Sequence, residues 1–173
     1  LHELNLASLH DVRSSAEEFL SKNDSLDLLV NNAGIMCTPF GHTTDGFEQQ
    51  FGVNHLGHYL FTGLMMPALE KSGASRVVCL SSGAHLICGV NLDDPMFERR
   101  DYDGWDSYGQ SQSANALFAR EFDRRYAEKG IHAFSVQQGK TFTEFGRHKT
   151  EEAMASRNDG TQHTNSAATD TKK

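Results

Sequence analysis

The stretch with the most chemistry to offer is Asp106-Ser107-Tyr108-Gly109-Gln110-Ser111-Gln112-Ser113-Ala114-Asn115. It reads as the opening of a helix that runs to about Lys129. Asp106 and Ser107 have the short polar side chains that accept from free N–H groups in a first turn. Tyr108 and Gln112 stand four residues apart, so they share one helix face about a turn from each other. A phenol can pass a proton, but a free pKa of about 10 makes it a poor shuttle at neutral pH. A cation about 5 Å away, at an effective dielectric near 20, would favour phenolate by roughly 3 kcal/mol, or about two pKa units. Gln112 is neutral and offers a hydrogen bond in place of that charge.

Other polar groups suggest less. His55 and His58 are three apart on a helical stretch, but no third ligand stands at a metal-binding spacing, so no metal site is read here. Glu98-Arg99-Arg100-Asp101 reads as a solvated mixed-charge loop. The three cysteines, Cys37, Cys79 and Cys88, are odd in number and read as reduced thiols of a cytoplasmic protein. A net charge of -7 with the two signs interspersed makes no basic stripe and disfavours nucleic-acid binding. No apolar run is long enough to span a membrane, and no signal peptide is apparent.

The elements that must position these groups follow from the apolar pattern. At 173 residues the length prior is one domain. A mean hydropathy of -0.53 is low for a sheet buried on both faces, in part because of a polar carboxyl-terminal tail. Leu1 to Leu6 alternates as a strand does. Ser8, with Asp11 three on, opens a helix whose stripe is Leu9, Val12, Ala16, Phe19 and Leu20. Leu26 to Val30 reads as a strand buried on both faces, ended by Asn31-Asn32-Ala33-Gly34. A long helix is expected from Thr44 or Asp45 to about Leu69, with Pro67 fraying or kinking its last turn. Arg76 to Leu80 and His132 to Val136 are further strands, and Gly83 to Trp105 is an irregular, substrate-side loop. Strands and helices in alternation predict a parallel α/β sheet. Residues 1–148 form the domain, and the polar stretch 149–173 is expected to be disordered.

Four short motifs, in order, resemble the short-chain dehydrogenase/reductase family and its retinol-dehydrogenase-like branch. They are Asn31-Asn32-Ala33-Gly34, Val53-Asn54-His55-Leu56-Gly57-His58, Leu80-Ser81-Ser82-Gly83-Ala84-His85, and Tyr108 with Gly109-Gln110-Ser111. The resemblance covers roughly residues 1 to 148. It implies a partial Rossmann-type doubly wound parallel sheet and an oxidoreductase that moves hydride between NAD or NADP and a small carbonyl or alcohol. By the same resemblance Ser82 hydrogen-bonds the reacting oxygen and Tyr108 is its acid/base. Asn54 holds a water of the proton relay. Asn31, Ala33 and Gly34 support the adenosine side of the cofactor, and Thr143 contacts the cofactor after the last strand. The two long helices would carry a homo- or heterodimer contact.

The departures from the family pattern are as informative. Gln112 stands at the lysine position, Gln138-Gly139 where Pro-Gly is usual, and Asn5 where an adenine-contacting Asp is usual. The Gly-rich phosphate turn would precede Leu1, and so would the first strand, which leaves Leu26 to Asn31 as an open edge. The chain therefore reads as a truncated product whose activity is impaired. The alternatives are a non-catalytic relic or interaction protein that pairs with an intact relative, and a remnant without a stable fold.

Overall fold

The computed structural model of the chain describes residues 3–137. Its centre is a three-stranded, all-parallel sheet in the order β1 (Leu28–Asn31), β2 (Arg76–Ser81), β3 (His132–Gln137). Leu29 pairs with Val77 and Val77 with Ala133, so these three stand in one row across the sheet. Among the described residues five α-helices accompany it: α1 (Leu9–Lys22) ahead of β1, then α2 (Gln49–Phe51), α3 (Gly57–Leu64), α4 (Met66–Ser72) and α5 (Gly104–Tyr126) between the strands. A π-helical turn, Gly52–Leu56, fuses α2 to α3. The expected α/β architecture is therefore present, as three strands of a Rossmann-like sheet.

One core holds the assembly together. Ala16 of α1, Leu29 of β1, Met65 and Leu69 beside and within α4, Val77 and Cys79 of β2, Ala119 and Phe122 of α5, and Ile131 and Ala133 around β3 form a single buried cluster. Burial of that kind contributes about 25 cal/mol per Å² of apolar surface removed from water. All of these helices cover the same face. On the opposite face Leu28, Val30, Phe134 and Val136 are 41–55% exposed. The expectation that β1 is buried on both faces is thus corrected: its burial alternates, because nothing among the described residues lies over its second face. Among the described residues β1 stands at one side of the sheet, paired with β2.

The local signals explain where elements start. Ser8 caps α1 by accepting from the Asp11 N–H at 3.2 Å, and Val12 and Ala16 face the core, as the stripe predicts. Residues 3–6 form no strand. They have no neighbouring strand to bond, and Leu6 is buried against Gly57 of α3, where a Cβ would meet the Leu6 carbonyl at 2.8 Å. The second helix begins at Gln49, later than Thr44 or Asp45. Thr43 and Asp45 are used in a turn, the former accepting from the Phe47 N–H and the latter from the Leu9 N–H, and Gly46 supplies the left-handed φ of 84°. Pro67 opens α4 rather than fraying a long helix, because the break falls at Met65. The cap of α5 is Asp103, whose Oδ1 accepts from Trp105 and Asp106 at 2.8 Å each, and Asp106 and Ser107 lie inside the helix. Leu1, His2, Thr143, the Gln138-Gly139 turn and the 149–173 tail lie outside the described residues.

Candidate active site

The site forms where the carboxyl end of β2 meets the first two turns of α5. Ser82 follows β2 directly and caps a short 3-10 turn, Gly83–Leu86, with its Oγ accepting from the Ala84 N–H at 3.3 Å. Tyr108 is 4% exposed and packs in a small apolar cluster with Met36, Cys37 and Ala84, flanked by Ile87 and Trp105. Its phenol lies near enough to the Ser82 hydroxyl for that group to favour the ionised form. Gly109 makes the approach feasible, since a Cβ there would stand 2.8 Å from the Ala84 carbonyl and 3.3 Å from the Cys88 sulfur. The helix therefore presses directly onto the turn that carries Ser82.

Burial pushes the Tyr108 phenol above its ordinary range, and the Ser82 hydroxyl only partly opposes that. Gln112 lies on the same helix face and is buried. Its backbone carbonyl accepts from Ser81 Oγ at 3.1 Å, which ties the end of β2 to α5 a second time. Gln112, one turn further along the same helix, is neutral and brings no charge to pull the phenol down, so the tyrosine is protonated at neutral pH.

Asn54 sits in the π-helical turn, a distortion that recurs at functional sites because it leaves backbone groups redirected. Its side chain is committed to structure. Oδ1 accepts from the Ile35 N–H at 2.8 Å, and Nδ2 donates to the Ile35 carbonyl at 2.9 Å and to Ser111 Oγ at 3.0 Å. This clasps the loop after β1 to α5. The Asn54 carbonyl accepts from Asn115 Nδ2 at 3.1 Å and lies 3.0 Å from His58 Nδ1. Asn115 also donates to the Leu80 carbonyl and holds His55 Nδ1 at 3.1 Å. His58 is buried and His55 half-buried, each bonded to an amide, and removal from water lowers both pKa values. No group of three metal-ligating side chains occurs among the described residues.

The turn after β1 divides into two parts. Asn31 is 5% exposed and points inward, donating to Thr62 Oγ1 at 2.9 Å. Asn32 and Ala33 are exposed and Gly34 is half-buried, so the outer part of the turn is open to a ligand. The structure thus brings Ser82, Tyr108, Gln112 and Asn54 together around α5, with Ala33 and Gly34 at the neighbouring strand end.

Sequence reasoning missed the polar side chains that hold this arrangement. Glu48 and Gln50, each 0% exposed, and Asn115, 7% exposed, were read as parts of helices. The Asn115 signal was its place seven residues beyond Tyr108, two turns along the same helix. Glu48 sits just before Gln50 and Phe51 and accepts from both of their N–H groups, at 3.0 and 2.7 Å, a capping pattern obscured by the expected earlier helix start.

Residues 1–154 match the family described as short chain dehydrogenase. The chain is 43% identical to mouse (Mus musculus) retinol dehydrogenase 12 over 147 residues, which is 85% of this chain and 46% of that protein. It is 42% identical to human (Homo sapiens) retinol dehydrogenase 13, covering 84% of this chain and 44% of that one. The short-chain dehydrogenase/reductase prx1 of Penicillium roqueforti is 40% identical, over 89% of this chain and 46% of its own. The chain thus spans about half the length of these relatives. Among solved structures, an uncharacterized protein from Mycobacterium paratuberculosis superposes with a TM-score of 0.72 at 40% identity, covering 84% of this chain and 52% of that one. A short-chain dehydrogenase from Sphingobium yanoikuyae, solved with NADPH, shares the fold at a TM-score of 0.63 and 21% identity, over 84% of this chain and 52% of that one.

Proposed function

The chain belongs to the short-chain dehydrogenase family, and on that premise we propose that Ser82 and Tyr108 are the proton-handling pair of an oxidoreductase acting on a small carbonyl or alcohol. The observation that carries this reading is the placing of the buried Tyr108 on the turn that carries Ser82, at the carboxyl end of a parallel strand, where α5 presses onto the Ala84 carbonyl. Ligands of open α/β sheets bind at such strand ends. NAD or NADP is the cofactor. The residues present fit it in part: Ala33 and Gly34 leave the turn after β1 open, while the Asn31 side chain is taken by Thr62. A bound nicotinamide would supply or accept the hydride. The Ser82 hydroxyl would hydrogen-bond the reacting oxygen and polarise it, and Tyr108 would give that oxygen its proton or take it back.

Gln112 sets the limit on this chemistry. Without a cation the phenol is a weaker acid, and losing efficient acid/base assistance lowers rates by about 10²–10⁴-fold. The proposed activity is therefore slow carbonyl reduction or alcohol oxidation, in the cytoplasmic setting that an odd number of cysteines suits. The test is oxidation of NADH and NADPH by the purified chain with small aldehydes and ketones, alongside Tyr108→Phe. Slow turnover that disappears in Tyr108→Phe supports the proposal. Turnover that survives Tyr108→Phe, or none with either cofactor, refutes it.

A second reading, a non-catalytic partner, draws on one further feature. Tyr59 and Leu117 are each 56% exposed, and Tyr59, Phe118, Phe122 and Tyr126 line a groove between α3 and α5. A second copy or a full-length relative would cover that groove. Light scattering of the chain alone and mixed with such a relative distinguishes the cases, and a monomer that captures nothing removes this reading.

A further inference from the structure

The buried amide of Gln50 joins two segments that flank the Tyr108 phenol. Its Oε1 accepts from the Cys37 N–H at 2.8 Å, and its Nε2 donates to Tyr102 Oη at 2.8 Å and to the Gly104 carbonyl at 2.9 Å. Cys37 lies in the apolar cluster around Tyr108, and Gly104 is the first residue of α5, one turn before Tyr108. These two segments also touch each other, since a Cβ on Gly104 would be 3.4 Å from Cys37 Cα and from the Thr38 carbonyl. Gln50 thus bonds both sides of a single contact.

The surrounding groups close a ring. Tyr102 Oη donates to the Thr38 carbonyl at 3.0 Å and lies 3.3 Å from Glu48 Oε1. Glu48 in turn accepts from the Gln50 N–H at 3.0 Å. The ring holds Cys37 at a φ of 52°, a left-handed conformation that a non-glycine residue keeps only when its surroundings fix it. Gln50 is 0% exposed, and its donors and acceptor are all used.

We propose that Gln50 is a positioning residue for Tyr108: it locks the first turn of α5 against the Cys37–Thr38 loop and so fixes where the phenol stands relative to Ser82. The inference rests on the reading of Tyr108 as the acid/base, but part of its test does not. Trp105, the single tryptophan of the chain, directly follows Gly104 and reports on that turn by its fluorescence. Tyr108 reports through the phenol ionisation that disappears in Tyr108→Phe.

The experiment compares the whole chain with Gln50→Met, which keeps the volume and removes the three hydrogen bonds, and with Tyr102→Phe, a milder cut in the same ring. Cooperative thermal unfolding identifies the variants that fold. In each of those, Trp105 becomes easier to quench and the Tyr108 ionisation shifts from that of the parent, less in Tyr102→Phe than in Gln50→Met. If the parent turns over, kcat in Gln50→Met falls by about 10²-fold while KM changes far less, as misplacement of a reacting group produces. An inactive parent whose Trp105 and Tyr108 signals still move in the variants refutes the proposed function and leaves the positioning role standing. Unchanged quenching and ionisation in a folded variant, or an unchanged kcat in an active one, overturn it.

Discussion

At Tyr108 the decisive quantity is the charge beside a buried phenol. Burial raises its pKa, and Gln112 offers nothing to bring it back. Replacing Gln112 by Lys should lower the Tyr108 ionisation by about two units and raise the rate of alcohol oxidation, within the roughly 10²–10⁴-fold that acid/base assistance supplies. The pH profiles should separate as well. If the proposed function holds, oxidation by the parent should keep rising with pH toward the ordinary phenol value of about 10 and beyond, with phenolate as the base, whereas Gln112→Lys should level off lower. A titration of each against its Tyr108→Phe counterpart checks this. A second prediction concerns His55 and His58, whose pKa values are lowered by burial. Above the ordinary histidine value of about 6.5 both folded and unfolded states are neutral there, and stability is full. Below it the unfolded chain binds protons that the folded chain does not, so stability falls as pH drops toward the folded-state values. Urea midpoints measured from pH 7 to pH 5 should decline, and less steeply in His55→Asn with His58→Asn. Ser82, Tyr108 and Asn54 stood out in the sequence as candidates because their spacing in the motifs is local to each segment. The use of the Asn54 side chain was not, since its partners Ile35 and Ser111 stand 19 positions before it and 57 after it.

At the scale of elements, the proposed function depends on how closely α5 lies on the turn after β2. Gly109 sets that distance: a methyl group there would meet the Ala84 carbonyl at 2.8 Å, a backbone atom that cannot swing aside. Gly109→Ala should therefore push α5 away from Ser82 and destabilise the fold by about 1–3 kcal/mol, as overpacking does. Loss of the shift that the Ser82 hydroxyl gives the Tyr108 ionisation, together with a lower thermal midpoint, would be the signature. The same elements show what a single sequence discloses. The α1 cap, the β2 and β3 strands and most of α5 follow from residues within a turn or two of each other. The start of α2 was misplaced because Asp45 looks like a helix cap but accepts from the Leu9 N–H, 36 positions away. The π-helical turn at Gly52–Leu56 has an ordinary helical pattern, and its contact with α5 through Asn54 and Asn115 is tertiary.

At the scale of the whole molecule, the sheet is covered unequally. Leu69 and Val77 are 0% exposed beneath the helices, whereas Val30 is 48% and Phe134 49% exposed on the other side. Parallel strands are ordinarily buried on both faces, so an apolar face left open invites association. The outer edge of β1, unpaired among the described residues, adds backbone groups to the same surface. The two faces should therefore answer differently to the same kind of substitution. Leu69→Ala opens a cavity in the one continuous core and should cost about 2–5 kcal/mol. Val30→Ala removes groups that already meet water and should cost well under ~1 kcal/mol. Val30→Lys with Phe134→Lys should leave the thermal midpoint nearly unchanged while reducing concentration-dependent self-association and the binding of a hydrophobic dye. The two positions are neighbours across β2, through Val78, so the charges would interrupt the middle of the apolar face. If the paired lysines instead unfold the chain, that face is packed in solution against something, and light scattering of the parent would show a species larger than the monomer.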